Sequence, residues 1–561
     1  MEQNILNKIN EWAKFAVEDL DLVNEYQLIK NDETKLLDAF FKELSFGTGG
    51  LRGELGFGTN RMNIYNIRKA TLGVANYLLK EFKDKEIKVA ISYDSRIKSD
   101  VFARETARVL ASNGIHVYIY KQLMPVPLLS FATRELGCDA GIMVTASHNP
   151  SKYNGYKVYG SDGCQITEIA AEKIINEISK INPFEVKAKE FDELLRLKVI
   201  EYIPNEILDR FTKVIRDNSV LGPQKVNKDV KIVYTPLNGS GLVPVTKVLE
   251  ESGFSNVTVV EEQRNPDGHF PTCPFPNPEV REAMELGISY AKKCNADLLI
   301  ATDPDCDRVG IAVKDGADFR LLTGNQVGCL LLNYICELRT LNGTMPPKPF
   351  AATTIVSTDM VNPIAEHFGV EVPRVLTGFK YIGEIIARAE AKHEENNFIF
   401  GFEESYGYLS HTRVRDKDAV NGSFMIAEMF AYYKTKGISL IEKLDELYKK
   451  FGFYLNKLDN FVFEGAVGFS KMKEIMTSFR SNIKDIGGYK ITEVLDYSKG
   501  INGLPKSDVL KFILENGSTV VVRPSGTEPK LKMYSSIKAE NEAESIEIYK
   551  KIFDDLSRKF R

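Results

Sequence analysis

The chain has 561 residues, 43% of them hydrophobic and 27% charged. These proportions supply enough apolar surface for several cores, which excludes both wholesale disorder and one small module; at ~150 residues per domain, three to four domains are predicted. A net charge of -4, from 73 Lys and Arg against 77 Asp and Glu, argues against nucleic acid or an anionic membrane as main partner, since both demand a concentrated basic surface.

Residues 1–27 carry acids and a helical apolar stripe of Ile5, Ile9, Trp12 and Ala16, with no apolar run of signal-peptide type. Farther on, the best apolar run, 327–336, is interrupted by Asn333 and falls short of the ~18 residues that a membrane span requires. Seven cysteines, odd in number and without a Cys-x-x-Cys pair, suit a reducing compartment. The expected location is the cytoplasm.

Gly47-Thr-Gly-Gly-Leu-Arg-Gly53 is glycine-dense enough to bring backbone close to a ligand, with Arg52 at its tip. It is neither Gly-x-Gly-x-x-Gly nor a Walker A loop, so no nucleotide is implied. A first α/β unit then follows: strand 87–92, helix from about Asp100 to Asn113-Gly114, strand 116–120, a second helix, and an apolar strand 140–144 that empties into Thr145-Ala-Ser-His-Asn-Pro150. A second unit runs through strands 230–234, 257–260 and 297–301 and empties into Thr302-Asp-Pro-Asp-Cys-Asp-Arg308. A third, with strands 351–356, 372–376 and 398–401, empties into Phe402-Glu-Glu-Ser-Tyr-Gly407. Ligands of open α/β sheets bind beyond the carboxyl ends of strands, so three such loops can share one cleft. The last ~100 residues, from about Lys449, break the pattern and read as a smaller α+β domain. They hold the loop Arg523-Pro-Ser-Gly-Thr-Glu-Pro529 after strand 519–522. The Pro-rich stretch 265–278 reads as ordinary turn chemistry.

Asp303, Asp305 and Asp307 alternate, so on an extended segment their carboxylates project the same way and offer oxygen to a hard cation such as Mg²⁺. A solvated acidic turn is the bland alternative, but three acids at the end of a buried strand repel each other unless a cation neutralises them. An EF-hand is rejected because Arg308 and Lys314 stand where Gly and Glu are needed. Ser147 is balanced between a capping turn serine and a reactive group. The acidic loop tips that balance, because a cation beside a serine oxygen neutralises a transferring phosphate. Arg523-Pro-Ser-Gly-Thr527 is a phosphate clamp in chemical terms, or a Pro/Gly turn with a surface Arg. Glu403 and Ser405 suit sugar hydroxyls, or mark the start of a helix.

Taken in order, Gly-Thr-Gly-Gly-Leu-Arg-Gly, Thr-Ala-Ser-His-Asn-Pro, Asp-Pro-Asp-Cys-Asp-Arg, Leu-Thr-Gly-Phe-Lys-Tyr, Gly-Phe-Glu-Glu-Ser-Tyr-Gly and Arg-Pro-Ser-Gly-Thr-Glu-Pro make the chain resemble the α-D-phosphohexomutase family, on the branch of the larger phosphoglucomutase/phosphomannomutase proteins. The likeness runs from about Gly47 to the end. It implies three similar mixed or parallel α/β sandwich domains and a C-terminal α+β domain around a central cleft, with divisions at 1–203, 204–322, 323–452 and 453–561. It further implies Ser147 as the phosphoserine and, with Asp303, Asp305 and Asp307, a ligand of Mg²⁺. By the same resemblance, Glu403 and Ser405 contact the sugar; Arg523, Ser525, Gly526 and Thr527 hold the non-reacting phosphate; and Gly378 and Lys380 orient the sugar. Lys417 resembles a further substrate-phosphate contact, while Arg308, beside the acids, suggests on its own account that anions come to the site. Lys157 and Arg52 match positions associated with proton transfer and phosphate contact near the serine, and His148 follows the nucleophile as in the family. Some relatives carry His where this chain has Gly407, which leaves proton transfer to Lys157; for that, its pKa of ~10.4 must shift.

The implied activity interconverts hexose 1- and 6-phosphates, glucose first, through a hexose 1,6-bisphosphate that is both intermediate and activator. The partner is then a small sugar phosphate, with no nucleic acid or membrane, on a monomer or weak homo-oligomer. Mannose, pentose or amino-sugar phosphates are alternative substrates. An Asp303-nucleophile phosphatase or mutase and a non-catalytic sugar-phosphate sensor are the rivals from other classes.

Overall fold

A computed structural model describes residues 2–560 apart from 48, 464, 482, 502 and 525–529, with backbone alone at 465–467 and 469. Four sheets follow one another along the chain. Three short helices, Gln3–Phe15, Leu20–Ile29 and Glu33–Phe40, precede the first. Asp19 and Asp32 cap the second and third through their carboxylates, the usual way to satisfy free N–H groups at a helix start. The stripe of Ile5, Ile9 and Trp12 is buried, and Trp12 meets Phe40, Phe57 and Tyr65 edge-on.

The first sheet runs Gly50–Glu54, Tyr153–Gly160, Ala140–Val144, Lys88–Tyr93, His116–Ile119, Ile200–Tyr202. Its last four strands are parallel and its first two antiparallel. The glycine-dense run is therefore an edge strand, and Arg52 sits mid-strand opposite Gly155 rather than at a loop tip. Gly50, at φ +144°, comes so close to the neighbouring strand that a Cβ would lie 1.8 Å from the Tyr156 carbonyl oxygen. Its glycine serves strand pairing.

The second sheet runs Asp318–Leu322, Val309–Asp315, Leu298–Thr302, Ile232–Thr235, Val257–Val259, and the third Arg374–Val375, Phe350–Thr354, Phe398–Glu403, Gly407–Leu409. In all three, the buried strand that ends at a polar loop returns as an antiparallel partner: Ala140–Val144 with Tyr153–Gly160, Leu298–Thr302 with Val309–Asp315, and Phe398–Glu403 with Gly407–Leu409. Each candidate loop is thus a hairpin tip, held at both ends by backbone hydrogen bonds. The fourth sheet is wholly antiparallel, Phe453–Val462, Lys530–Ala539, Thr519–Pro524, Leu510–Leu514, Tyr489–Asp496, Asp485–Ile486, with helices Gly465–Ser481 and Glu542–Lys559.

The first three units share apolar packing: Phe131, Ile232, Leu330 and Phe402 belong to one continuous core. At its middle lies the helix Ala419–Thr435, buried from Ala419 to Tyr433. A helix buried on every side needs a large core around it, and here even its polar Asn421, Ser423 and Glu428 are buried. The fourth unit has a core of its own and meets the third through a small cluster that includes Ile355, Leu376, Tyr497 and Val521. No described helix is long and apolar enough to cross a membrane. All seven cysteines are free thiols, six of them buried.

Candidate active site

The hairpin tip of the second unit is bonded through backbone to the other two units: Asp305 O accepts from Val126 N–H at the start of the first unit's helix Val126–Glu135, Cys306 O accepts from Ala419 N–H at the start of the helix Ala419–Thr435, and Val309 N–H donates to Tyr406 O in the third unit's tip. Each tip also has one non-glycine residue in the left-handed region, Ser147 (φ +53°), Cys306 (+51°) and Tyr406 (+63°). Each such residue costs about 1 kcal/mol or more, a cost that persists only where surrounding structure imposes the geometry.

Residues 303–308 form a turn, not the extended segment the alternation suggests. The carboxylates of Asp303, Asp305 and Asp307 nevertheless converge, with ligand atoms within 4.8 Å of one another and all three residues buried. The turn does this by folding back: Asp303 Oδ1 accepts the N–H groups of Asp307 (3.1 Å) and Arg308 (3.0 Å). Burial and the neighbouring carboxylates push Asp303 and Asp307 above the usual carboxylate range. Burial would raise Asp305 as well, but Lys157 Nζ, 2.9 Å away, holds it low. Asp305 Oδ1 and Asp307 Oδ1 are buried without a hydrogen-bond partner. Buried carboxylate oxygens left unpaired and crowded by like charge fit a hard divalent cation.

Ser147 is neither a cap nor a bystander. Its Oγ donates 2.9 Å to Asp303 Oδ2 across the boundary between units and lies 3.1 Å from His148 Nδ1. Burial, helped by Arg308 and Arg52, pushes His148 down to about 2, so its ring is neutral. Lys157 shifts opposite to what a base would need. Burial would lower it, yet Asp305 and Asp307 prevail and raise it, so it is held as a cation.

Glu403 is buried, and its strand reaches it, so this loop is a hairpin rather than a helix start. Its Oε1 accepts the Gly378 N–H at 2.8 Å. Burial, opposed by Lys417, pushes it up to about 7. Ser405 lies half-buried beside it. Lys417 approaches Asp307 at 3.3 Å and Asp416 at 3.5 Å. A Cβ on Gly407 would meet Lys417 Cδ at 2.1 Å, so the Lys417 stem occupies the room a side chain at 407 would take. Lys380 donates 2.6 Å to Glu168 of the first unit, which also accepts from Tyr381 (2.9 Å). Arg308 pairs with Glu279. Arg523 is the next-to-last residue of the strand Thr519–Pro524 and acts electrostatically on Tyr381 and Tyr534. Ser525, Gly526 and Thr527 lie outside the described residues.

Models of the phosphoglucomutase/phosphomannomutase family match in chain order: α/β/α domain I at 43–184, domain II at 209–316, domain III at 323–451 and the C-terminal domain at 480–548. The chain belongs to this family. A phosphoglucomutase of Staphylococcus haemolyticus is 38% identical over 536 residues, 92% of this chain and 94% of that protein. One from Staphylococcus saprophyticus is 37% identical over 513 residues, 89% and 91% of the two chains. In fold, the chain is similar to the crystal structure of the exocytosis-sensitive phosphoprotein parafusin, a phosphoglucomutase from Paramecium, in its open form (TM-score 0.70, 18% identity, 92% of this chain and 95% of that one). Membership makes the chain an isomerase that transfers a phosphoryl group, and the four-unit α/β architecture is that of the phosphoglucomutase/phosphomannomutase family.

Several residues at this family site escape a motif-based reading. Glu168 and Glu279 are single acids whose partners, Lys380 and Arg308, lie far away in sequence. The Pro-rich stretch is more than a turn: its Phe275 packs edge-on against the His148 ring. Asp94 and Arg96 lie directly beneath the serine loop. Only the position of Asp94-Ser-Arg96 just beyond a parallel strand could have pointed to them.

Proposed function

We propose that the protein interconverts α-D-glucose 1-phosphate and glucose 6-phosphate through a phosphorylated Ser147 and a hexose 1,6-bisphosphate. The observation that carries this reading is the 2.9 Å hydrogen bond from Ser147 Oγ to Asp303 within the buried carboxylate trio. A hydroxyl able to bear a phosphoryl group beside carboxylates suited to a divalent cation supports this reading.

Asp303, Asp305, Asp307 and the Ser147 oxygen would hold Mg²⁺, which when bound offsets charge on the transferring phosphoryl group. The protein's own groups supply the rest. The Oγ–P bond of phospho-Ser147 breaks as the free sugar hydroxyl forms its bond to phosphorus, and the hydroxyl proton passes to the Ser147 oxygen that the phosphoryl group leaves. Transfer from the other end of the bisphosphate restores phosphoserine. Lys157, cationic beside Asp305, and Arg52 supply positive charge and hydrogen bonds to phosphoryl oxygens, and in the second transfer Lys157 can donate its proton to the sugar oxygen that the phosphoryl group leaves, regaining one from the Ser147 hydroxyl. Neutral His148 and its neighbour Phe275 limit water beside the serine. Glu403 and Ser405 accept and donate to sugar hydroxyls, with Gly378 and Lys380 orienting the ring. Lys417 and Arg308, beside the carboxylate trio, contact substrate phosphate, and the 523–527 loop holds the distant one. We take the four units to divide at 203/204, 322/323 and 452/453, and the free buried thiols suit a cytoplasmic enzyme.

An Asp303 nucleophile is disfavoured because both its oxygens are engaged, Oδ1 with two N–H groups and Oδ2 with Ser147. The test is conversion of glucose 1-phosphate by purified protein primed with the 1,6-bisphosphate, beside mannose, pentose and amino-sugar 1-phosphates. Wild type is expected to favour glucose, and Ser147→Ala to lose at least ~10³-fold in kcat. A hydroxylamine-labile acyl phosphate, or normal turnover by Ser147→Ala, would overturn the reading.

A further inference from the structure

The serine loop rests on a guanidinium that touches none of the candidate substrate contacts. Strand Lys88–Tyr93 ends in Asp94-Ser-Arg96, and the Arg96 side chain is fully buried. Nη1 donates to the carbonyls of Pro150 (3.0 Å) and Tyr153 (3.1 Å), and Nη2 to those of Ser147 and Asn149. All four acceptors lie in 147–153, the segment that presents Ser147. On its other side, Asp94 Oδ2 stands 3.4 Å from Nε, and Asp94 is itself fixed by the Ser99 hydroxyl (2.8 Å), the Thr145 hydroxyl (2.6 Å) and the Arg96 N–H (3.0 Å).

The second unit closes this assembly. The Phe270 ring lies over the guanidinium at 5.2 Å, and Phe270 is itself held at φ +49°. Two residues earlier, Gly268 presses so closely on the turn that a Cβ would lie 2.4 Å from Ile97 N and 2.7 Å from Ser95 O. No side chain at 268 fits without separating the two units.

We propose that Arg96, sealed beneath Phe270 of the second unit, is the positioning residue that holds Ser147 in its left-handed backbone and aims Oγ at Asp303. A serine at φ +53° relaxes toward ordinary backbone unless its carbonyl is restrained, and Arg96 restrains that carbonyl and those of Asn149, Pro150 and Tyr153. Lysine, with three donors on a single nitrogen, cannot reproduce a planar fork that serves four carbonyls. Because the seal comes from the unit that also carries the carboxylate trio, one contact sets both the angle of the nucleophile and the seat of the groups it must face. The proposal rests on Ser147 as the phosphoryl carrier.

The test uses the full chain as wild type, Arg96→Lys, Phe270→Leu and Phe270→Tyr. It measures kcat and KM with glucose 1-phosphate primed by the bisphosphate, the ³¹P resonance of the phosphoenzyme, and thermal melting. Arg96→Lys is expected to lower kcat about 100-fold, the effect of a misplaced reacting group, with KM little changed and the phosphoserine resonance shifted. Phe270→Leu, which keeps apolar volume but loses the aromatic face, should lower kcat about tenfold, and Phe270→Tyr should recover most of that. Should Arg96→Lys fail to fold, the Phe270 pair decides. Unchanged kcat and an unshifted resonance in folded variants, or a loss confined to KM, would overturn the proposal. Phosphopeptide mapping of wild type separates the two readings: without phosphate on Ser147 the functional reading falls and takes this one with it, whereas phosphorylated, active wild type with indifferent variants refutes the Arg96 role alone.

Discussion

At the scale of single residues, the site works by setting ionisable groups against their ordinary behaviour. Glu403 has the clearest consequence, because burial pushes its carboxyl up to about 7. A carboxylate whose folded pKa exceeds its unfolded value favours the folded state below the unfolded value, about 4.3, and loses that contribution as pH rises through about 7. Ionised Glu403 should therefore cost the fold up to about 3 kcal/mol at pH 8. Glu403→Gln has no such charge to bury, so it should melt closer to wild type, or above it, at pH 8 than at pH 5. Equal differences at the two pH values, read by thermal unfolding, would refute this. Gly407 illustrates a different residue-scale point. Its departure from the pattern of some relatives looks like a lost proton-transfer group in sequence, but in space that room is filled by the stem of Lys417. Sequence spacing showed what was missing, and only packing showed what replaced it.

At the scale of elements, three strand-terminal loops were legible because a buried parallel strand is a run of apolar residues with an abrupt polar end. Strand Ala140–Val144 is observed with the bounds its composition predicts, the strand expected at 297–301 is shifted by one residue to Leu298–Thr302, and the one expected at 398–401 runs two residues further, to Glu403. The return strands of the hairpins were not legible. Tyr153–Gly160 mixes Asn, Lys and three aromatic residues, and its alternation reflects pairing with two neighbours, not one exposed face. Cross-unit ion pairs were equally hidden, since nothing local links Glu168 to Lys380. That pair leads to a prediction. Glu168 occupies Lys380 at 2.6 Å, and a sugar phosphate using Lys380 must displace it. Glu168→Gln should lower KM, by up to about fivefold given the partial exposure of the pair, with kcat little changed. An unchanged or higher KM in steady-state assays would show that Lys380 does not change partners.

At the scale of the whole molecule, the attachment of the fourth unit differs from that of the other three. The first three share a core, whereas the fourth has its own and joins them through Tyr454 at the edge of the shared core, a small apolar cluster and a buried polar anchor. In that anchor Asp359 accepts from Lys511 (3.1 Å), Thr519 (2.5 Å) and Arg374 (3.2 Å), with the Asp359 N–H donating to Ser536 (3.2 Å). Burial opposes the charge on Asp359, but Lys511 and Arg374 hold its carboxyl below the usual range. Asp359→Asn leaves the buried Lys511 without a carboxylate, a loss of about 3–5 kcal/mol for a broken buried pair. Hydrogen exchange should accelerate in 453–560 and leave the shared core unchanged. Uniform acceleration along the chain would mean that all four units unfold together.

The near-neutral net charge and ordinary composition argued against polyanion partners, and local composition and alternation determined the class of three α/β units, a different final unit and the loops worth examining. These properties follow from short-range physics, because burial of a strand and its polar end are written in consecutive residues. What only the tertiary structure decided is how the loops act together: that Ser147 reaches Asp303, that Lys157 is pinned as a cation, and that Arg96 is sealed by Phe270 from another unit. Each depends on groups separated by roughly 150 residues or more along the chain, brought within hydrogen-bonding, ionic or ring-stacking reach by the packing of whole units. Pairing at that range depends on the shapes of the assembled cores, and no window of the sequence contains it.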